Sequence, residues 1–339
     1  MNRTHEISAF INAAGWGSAT VTALAGDASN RKYDRLTKPD GTTAVLMNTP
    51  PVNKESVEAF VKITQYLSGI GASAPTLIHQ NVDAGLLLIE DLGDQLFTKV
   101  IAKNPSLEKP LYLVAADILT HLHQKTPPDL RPYSAEMTAP LAALAYDWYQ
   151  LGALGSIDIS ARNQLATLLT QKLEPYDNDL SVVILRDYHA ENLLWLPDRS
   201  GHARVGLLDF QDAMLGHPAY DLVSVLQDAR RDVCPVIAEQ IKNHFVTKNR
   251  YDPDLFEDAY AIFGLQRNLR ILGVFSRLCM RDGKSHYIDL IPRVWRHVQT
   301  NLEHTSLSAV ASLIAKDLPA PTHESLSRLK EKSGLWAGQ

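Results

Sequence analysis

A chain of 339 residues, 45% hydrophobic and 21% charged, is long enough for one large or two medium globular domains. Its formal net charge of −5 argues against a nucleic-acid binder, which would carry a basic surplus. No apolar run reaches membrane-spanning length, MNRTHEISAF lacks the long apolar core of a signal peptide, and two cysteines do not make a disulfide framework. A reducing cytoplasm is the expected location. Cys234 and Cys279 belong to no metal-spaced cluster and read as core or semi-buried thiols.

Residues 19–25, 31–37 and 43–48 read as three strands, with Pro39-Asp40-Gly41 as the second turn. Between the first two lies Gly26-Asp27-Ala28-Ser29-Asn30. Small residues there let backbone N–H groups approach phosphate oxygens, although an ordinary hairpin loop has the same composition. A helix is predicted over about 53–68, capped by Asn53, with Val57, Phe60, Val61, Thr64 and Leu67 on one face. Two more strands follow near 76–80 and 85–90, joined by a turn from Asn81 to Gly85. Leu86, Leu87 and Leu88 fill the sheet core or line an apolar slot, and Asp91 or Asp94 is expected to cap the next helix.

Beyond residue 94 the chain becomes mainly helical. Leu111, Val114, Ala115, Ile118, Leu119 and Leu122 form an amphipathic stripe that Pro127-Pro128 stops, and His121 and His123 read as structural because no third ligand is spaced with them. Further helices are predicted near 140–152, 160–175, 219–230, 234–249, 254–282 and 287–302. The polar tail after about 319 is expected to be loosely held. Strands first and helices afterwards make the class α+β.

The chemistry concentrates after residue 181. Val182 to Leu185 read as a short buried strand, and Asp187 follows where side chains leave the core. Asn192 lies five positions later. Leu193 to Leu196 then run out, Pro197, Asp198, Ser200 and Gly201 turn the chain, and Val205 to Leu208 return antiparallel, so that Asp209 emerges beside Asn192. A hairpin with an amide and a carboxylate at one end suits magnesium, which takes a few hard oxygen ligands plus phosphate and water. Phosphoryl transfer needs this trio: an Asp to accept a hydroxyl proton, and an Asn and a second Asp to hold magnesium against nucleotide phosphates. An Asp five residues before an Asn arises easily by chance, so the hairpin and Asp209 carry the reading. The plain alternative is loop and turn polarity.

RDYHAEN, followed by LLDFQDAMLGHPAYDL, resembles the catalytic and metal loops of the aminoglycoside phosphotransferase family, small-molecule relatives of protein kinases. GDASNRKYDRL, AVLMNTPP, LLIEDLGD, LQDARRDV, QRNLRILGVFSRLCMRDGK and IPRVWRHV are most similar to its anomeric kinases for N-acetylmuramate and N-acetylglucosamine in cell-wall recycling. The resemblance implies an α+β, bilobal protein-kinase-like fold. An N-terminal antiparallel sheet lobe plus one helix (1–93) would end in a hinge, a larger, mainly helical catalytic and substrate lobe would span 94–318, and a polar tail would follow (319–339). It also implies ATP and Mg2+, a sugar substrate, no nucleic-acid or membrane partner, and a monomer. Asp187 would be the general base, with Asn192 and Asp209 as metal ligands and Asp221 as a brace of the catalytic loop through backbone hydrogen bonds. Gly26, Asp27, Ala28, Ser29, Asn30 and Arg31 would cover the nucleotide, whose base would meet the hinge at Glu90 and Leu92.

The chain departs from the family pattern at several places. Leu185-Arg186 stands where a histidine usually opens the catalytic loop, and Met47 stands where kinases carry the lysine that pairs with nucleotide phosphates. The anomeric kinases share the second feature. Arg31, Lys32 or Arg35 would restore the charge, Arg31 being favoured. No glycine follows Asp209, and Asp212 becomes a candidate sugar contact. Arg267, Arg270, Arg277 and Arg281 punctuate one helix. They form either a solvated face or, with Arg270 put forward, a partner for a carboxylate such as a lactyl group. Three alternatives stay open: the same chemistry on an aminoglycoside, an amino alcohol or a different sugar; a nucleotide-binding regulator with weak catalysis; and a nonenzymatic helical adaptor, which fits only the C-terminal half and leaves the 181–212 constellation unexplained.

Overall fold

The computed structural model describes residues 2–24, 31–50 and 54–336. The loop residues Gly26, Asp27, Ala28, Ser29 and Asn30, and the helix cap Asn53, lie outside the described residues. In chain order, helix α1 (Arg3–Ala13) precedes strands β1 (Thr20–Ala23), β2 (Lys32–Thr37) and β3 (Thr43–Asn48). Helix α2 (Lys54–Gly69), strands β4 (Leu77–Asn81) and β5 (Leu86–Glu90), and helices α3 (Phe97–Lys103) and α4 (Glu108–His123) follow. Next come α5 (Ala135–Ala142), α6 (Leu151–Leu154), α7 (Ile159–Leu173) and the short strands β6 (Val182–Ile184), β7 (Leu193–Trp195), β8 (Val205–Leu207) and β9 (Met214–Gly216). Helices α8 (Ala219–Leu226), α9 (Pro235–Asn249), α10 (Pro253–Met280), α11 (Ile291–Leu302), α12 (Ser308–Asp317) and α13 (His323–Glu331) complete the chain.

The chain divides into two compact units, Met1–Pro128 with Ala190–Ala213, and Asp129–His189 with Met214–Gln339. In the first, an antiparallel sheet runs in the order β1-β2-β3-β5-β4. Strand alternation sorts its side chains. Leu36, Ala44, Leu46, Leu86 and Leu88 face the core built with Phe10, Ile11 and Trp16 of the α1 region. Residues one step out of phase, Tyr33, Met47 and Leu87, are paired in register and share the opposite face. The hairpin β7–β8 joins this unit: the Leu207 N–H donates to the Ser73 carbonyl (2.9 Å) and the Trp195 N–H to the Gln95 carbonyl (2.7 Å).

In the second unit β6 pairs with β9, and the 28-residue α10 forms the helical centre, packed against α5, α8 and α11. Four expectations are corrected here. Residues 1–18, given no element from the sequence, contain α1. The helix expected at 140–152 is interrupted: Pro140 lies in α5, and a wider π-type turn over Ala145–Gln150 leads into α6. The tail is not loose. Thr322 caps α13 through the Ser325 N–H, and Leu329 is fully buried. Cys279 is buried as expected, but Cys234 is exposed.

Candidate active site

In the first unit the hairpin pairs Leu193 with Leu207, Leu194 with Gly206 and Trp195 with Val205. One further bond, from the Leu208 N–H to the Asn192 carbonyl (3.0 Å), carries the ladder to the mouth, leaving Asn192 and Asp209 where the strands part. Asp209 has a left-handed backbone (φ 54°), which Asp tolerates better than most residues. Gln211 Nε2 donates to its Oδ1 at 2.9 Å, and Arg31 Nη1 lies 3.7 Å from the same oxygen. The next residue, Phe210, is buried and stacks on Phe60 of α2, with ring centroids 5.1 Å apart. An amide and a carboxylate at one hairpin end are hard oxygen donors, the chemistry a magnesium ion requires. Among the described residues no three His, Cys, Asp or Glu side chains group as a complete metal cage, so an ion held there would take its other ligands from phosphate and water.

On the sheet, Met47 is 0% exposed and lies between Tyr33 and Leu87. Of the three neighbouring cations, Lys32 is exposed opposite Asn48. Arg35 pairs with Asp91 (2.6 Å) and Asp94 (2.8 Å), and its guanidinium holds the Asp94 carboxyl below the usual range. This corrects the helix-cap expectation for both acids: α3 starts after Leu96 with no side-chain cap. Arg31 reaches the Ser56 hydroxyl on α2 as well as Asp209. At the end of β5, the Glu90 N–H donates to the Thr76 carbonyl (2.8 Å), and the Glu90 carboxylate accepts from Arg199 (2.6 Å) and Thr76 Oγ1 (2.9 Å). Leu92 Cδ1 would lie only 3.2 Å from a Cβ at Gly206, so the glycine lets Leu92 close on the hairpin. Leu86, Leu87 and Leu88 are all buried in the sheet.

Asp187 belongs to the second unit, at the end of β6. The preceding Arg186 has φ 68°, an unfavourable backbone for a non-glycine residue, and is held from both sides. The Asp221 carboxylate accepts the Leu185 N–H (2.6 Å) and the Arg186 N–H (2.9 Å). Ser224 Oγ donates to the Arg186 carbonyl (3.2 Å) and accepts from Arg267 Nη2 (2.7 Å). The Asp187 N–H then closes a tight turn onto the Leu185 carbonyl (2.8 Å). Burial pushes Asp221 up to about 7, against the opposing pull of the two backbone N–H groups and Arg267. Asp187 itself acts electrostatically on Asp221, Arg267 and Arg270.

The arginines of α10 are therefore not one solvated face. Arg267 is buried, Arg270 interacts electrostatically with Tyr220, and Arg281, just past the helix end, pairs with Asp282 on the surface. Arg230 Nη1 donates to His189 Nε2 (3.2 Å), two residues after Asp187, while Asp212 is exposed on a turn of the first unit. Ser56, Ser224, Arg267 and the Arg230–His189 pair were not singled out from the sequence for these roles. Only the Asp221–Ser224 spacing, three apart on one helix face, offered a signal.

Residues 20–253 match the phosphotransferase enzyme family, APH. The chain belongs to this family. It is 34% identical to the N-acetylmuramate/N-acetylglucosamine kinase of Caulobacter vibrioides, across 93% of this chain and 96% of that one. It is 29% identical to the Pseudomonas aeruginosa protein of the same name, across 89% and 91%. Among solved structures, the aminoglycoside phosphotransferase APH(3'')-Id of Streptomyces rimosus, in complex with ADP and streptomycin, superposes with a TM-score of 0.53 at 17% identity, covering 80% of this chain and 99% of that one. The fold is that of the kinase-like APH phosphotransferases, and the chain is an enzyme that phosphorylates a hydroxyl group.

Proposed function

We propose that this phosphotransferase moves the γ-phosphate of ATP to the anomeric hydroxyl of N-acetylmuramate or N-acetylglucosamine. The observation that carries the reading is the near full-length match to kinases of that name, 34% identical in the first case. In this reading Asp187 accepts the proton of the sugar hydroxyl as the new O–P bond forms and the bond to the leaving ADP breaks. Arg267 and Arg270 are the cations on which Asp187 acts electrostatically. Asn192 and Asp209 are the residues that would hold magnesium, which when bound supplies positive charge to the phosphate oxygens. Glu90 and Leu92 serve the adenine at the end of β5. Asp221 keeps the backbone before Asp187 in its left-handed form, so the base is fixed before substrate arrives. Arg270 and Asp212 are assigned to the sugar, Arg270 suiting the carboxylate that distinguishes N-acetylmuramate.

Phosphorus NMR of the products from a mixed panel tests this directly. The panel holds both N-acetyl sugars, an aminoglycoside and choline with ATP and magnesium. A new phosphate resonance coupled to the anomeric proton is expected. Phosphate appearing only on the aminoglycoside or on choline would overturn the substrate assignment.

A further inference from the structure

The sheet face that carries Met47 also carries the strongest candidate for a missing charge. Met47 is directly opposite Tyr33, so the two side chains share a face, and strand alternation puts residue 31 on that face as well. Arg31 lies one residue before the first rung of the β2–β3 ladder, where Lys32 pairs with Asn48. Its side chain is 10% exposed, unusually buried for an arginine. Several of the described residues hold it. The Ser56 hydroxyl accepts from Nη2, Tyr33 hydrogen-bonds it, and Asp209 Oδ1 lies 3.7 Å from Nη1. Burial raises the Tyr33 phenol above its ordinary value, with Arg31 pulling the other way.

Helix α2 connects this cation to the metal loop. Ser56 and Phe60 are four residues apart and therefore stand on one helix face. Ser56 holds Arg31, and Phe60 stacks on Phe210, the residue after Asp209. One face of α2 thus fixes a guanidinium and a candidate metal-binding carboxylate together. In protein kinases a strand lysine meets phosphate and is held by a glutamate of the corresponding helix. Here the strand position holds a fully buried methionine, the cation comes from the neighbouring strand, and a hydroxyl steadies it. Arg35 is engaged by Asp91 and Asp94, and Lys32 is exposed.

The geometry points to Arg31 as the residue that binds the nucleotide phosphates in this enzyme, with Ser56 of α2 as its positioning partner. The inference rests on the ATP-dependent reading above and not on the identity of the sugar. Arginine also suits the task chemically, because its planar fork offers paired donors to phosphate oxygens.

Calorimetric titration of the full chain, with no sugar present, tests it. The probes are magnesium with AMP-PNP, magnesium with ADP, and adenosine. Arg31→Met is expected to weaken AMP-PNP about 10- to 100-fold while leaving adenosine unchanged. Arg31→Lys is expected to recover part of the loss, and Ser56→Ala to weaken AMP-PNP several-fold in the same phosphate-dependent way. Without nucleotide, the thermal midpoint of Arg31→Met should stay near that of the parent. Unchanged AMP-PNP affinity in Arg31→Met would overturn the inference, as would an equal loss for adenosine, which would mark a structural role. Parent protein that binds no nucleotide would remove the ATP-dependent reading as well. Normal nucleotide binding without sugar phosphorylation would touch only the substrate assignment.

Discussion

Arg186, in the second unit, carries a backbone cost. A non-glycine residue at φ 68° costs of order 1–3 kcal/mol, and it persists because its N–H and its carbonyl are both engaged. Asp221 contributes mainly as an acceptor, since burial already opposes its charge and pushes it up to about 7. Asp221→Ala leaves one buried and one half-buried N–H group without that acceptor and is expected to destabilise by about 2–6 kcal/mol, at about 1–3 kcal/mol for each group. Asp221→Asn retains one accepting oxygen and loses a charge that burial disfavours, so its cost should be clearly smaller. Urea denaturation of the two variants side by side checks the order. Asp187→Asn removes the half-buried carboxylate proposed as the base, outside this brace. Turnover is expected to fall about 10²- to 10⁴-fold, with nucleotide affinity and the denaturation midpoint retained. Steady-state kinetics with a nucleotide titration would expose a wrong assignment as an active variant.

Two glycines of α10 set how closely neighbouring segments approach. A Cβ at Gly273 would stand 2.3 Å from the Leu144 carbonyl oxygen, at the start of the π-type turn, and a Cβ at Gly264 would meet the Asn301 amide at 2.6 Å. Asn301 can adjust only by disturbing its bonds to Gln227 and the His297 carbonyl, and the Leu144 backbone has less room still. Gly273→Ala is therefore expected to cost several kcal/mol, more than the ~1–3 kcal/mol of ordinary overpacking, despite the better helix propensity of alanine. Thermal denaturation would contradict this if the variant melted at or above the parent. Neither contact is written in local sequence, which marks where legibility ends. Strand β3 falls on the predicted 43–48, and the predicted strands near 31–37 and 85–90 correspond to Lys32–Thr37 and Leu86–Glu90, because apolar alternation and turn residues bound them. The hairpin register that leaves Asn192 and Asp209 at one mouth follows from the same local pattern. Helix α13 escaped because it is mostly polar and leans on one buried leucine, Leu329. The pairing of β6 with β9 spans about thirty residues, and the Ser56 contact of Arg31 spans 25, so neither leaves a periodic trace. The residue types of the candidate site were readable, whereas the side chains that hold them in place come from other elements.

Across the molecule, the second unit buries His189 and His217 and half-buries His297, and this packing disfavours the charged form of all three rings. His217 and His297 are each pushed down to about 4 by burial, and His189 lies well below its ordinary value from burial and from Arg230 and Arg267. Hydrogen bonding agrees in two cases: His217 Nδ1 accepts the Ala219 N–H (3.1 Å), and His189 Nε2 accepts from Arg230 (3.2 Å). The unfolded chain takes up protons at these rings near pH 6.5 and the folded chain does not. Their stabilisation is therefore present above pH 6.5 and is lost as pH falls toward 4. Asp221 works in the opposite sense, because its carboxyl is raised: the folded state gains a proton between about 7 and 3.8 that the unfolded state has not yet taken up. Three histidines against one carboxyl leave the unfolded state about two protons ahead, so stability should fall as pH drops, at up to about 3 kcal/mol per pH unit near pH 5. Urea denaturation at pH 7.5 and pH 5 should show a clearly lower midpoint at the acid value. His297→Gln, which removes one of the three rings, should flatten the dependence by roughly one proton's worth, about 1.4 kcal/mol per pH unit. A midpoint independent of pH across this window would mean that the buried rings are already charged in the folded protein, and the neutral hydrogen-bonding roles given to His189 and His217 would fall with it.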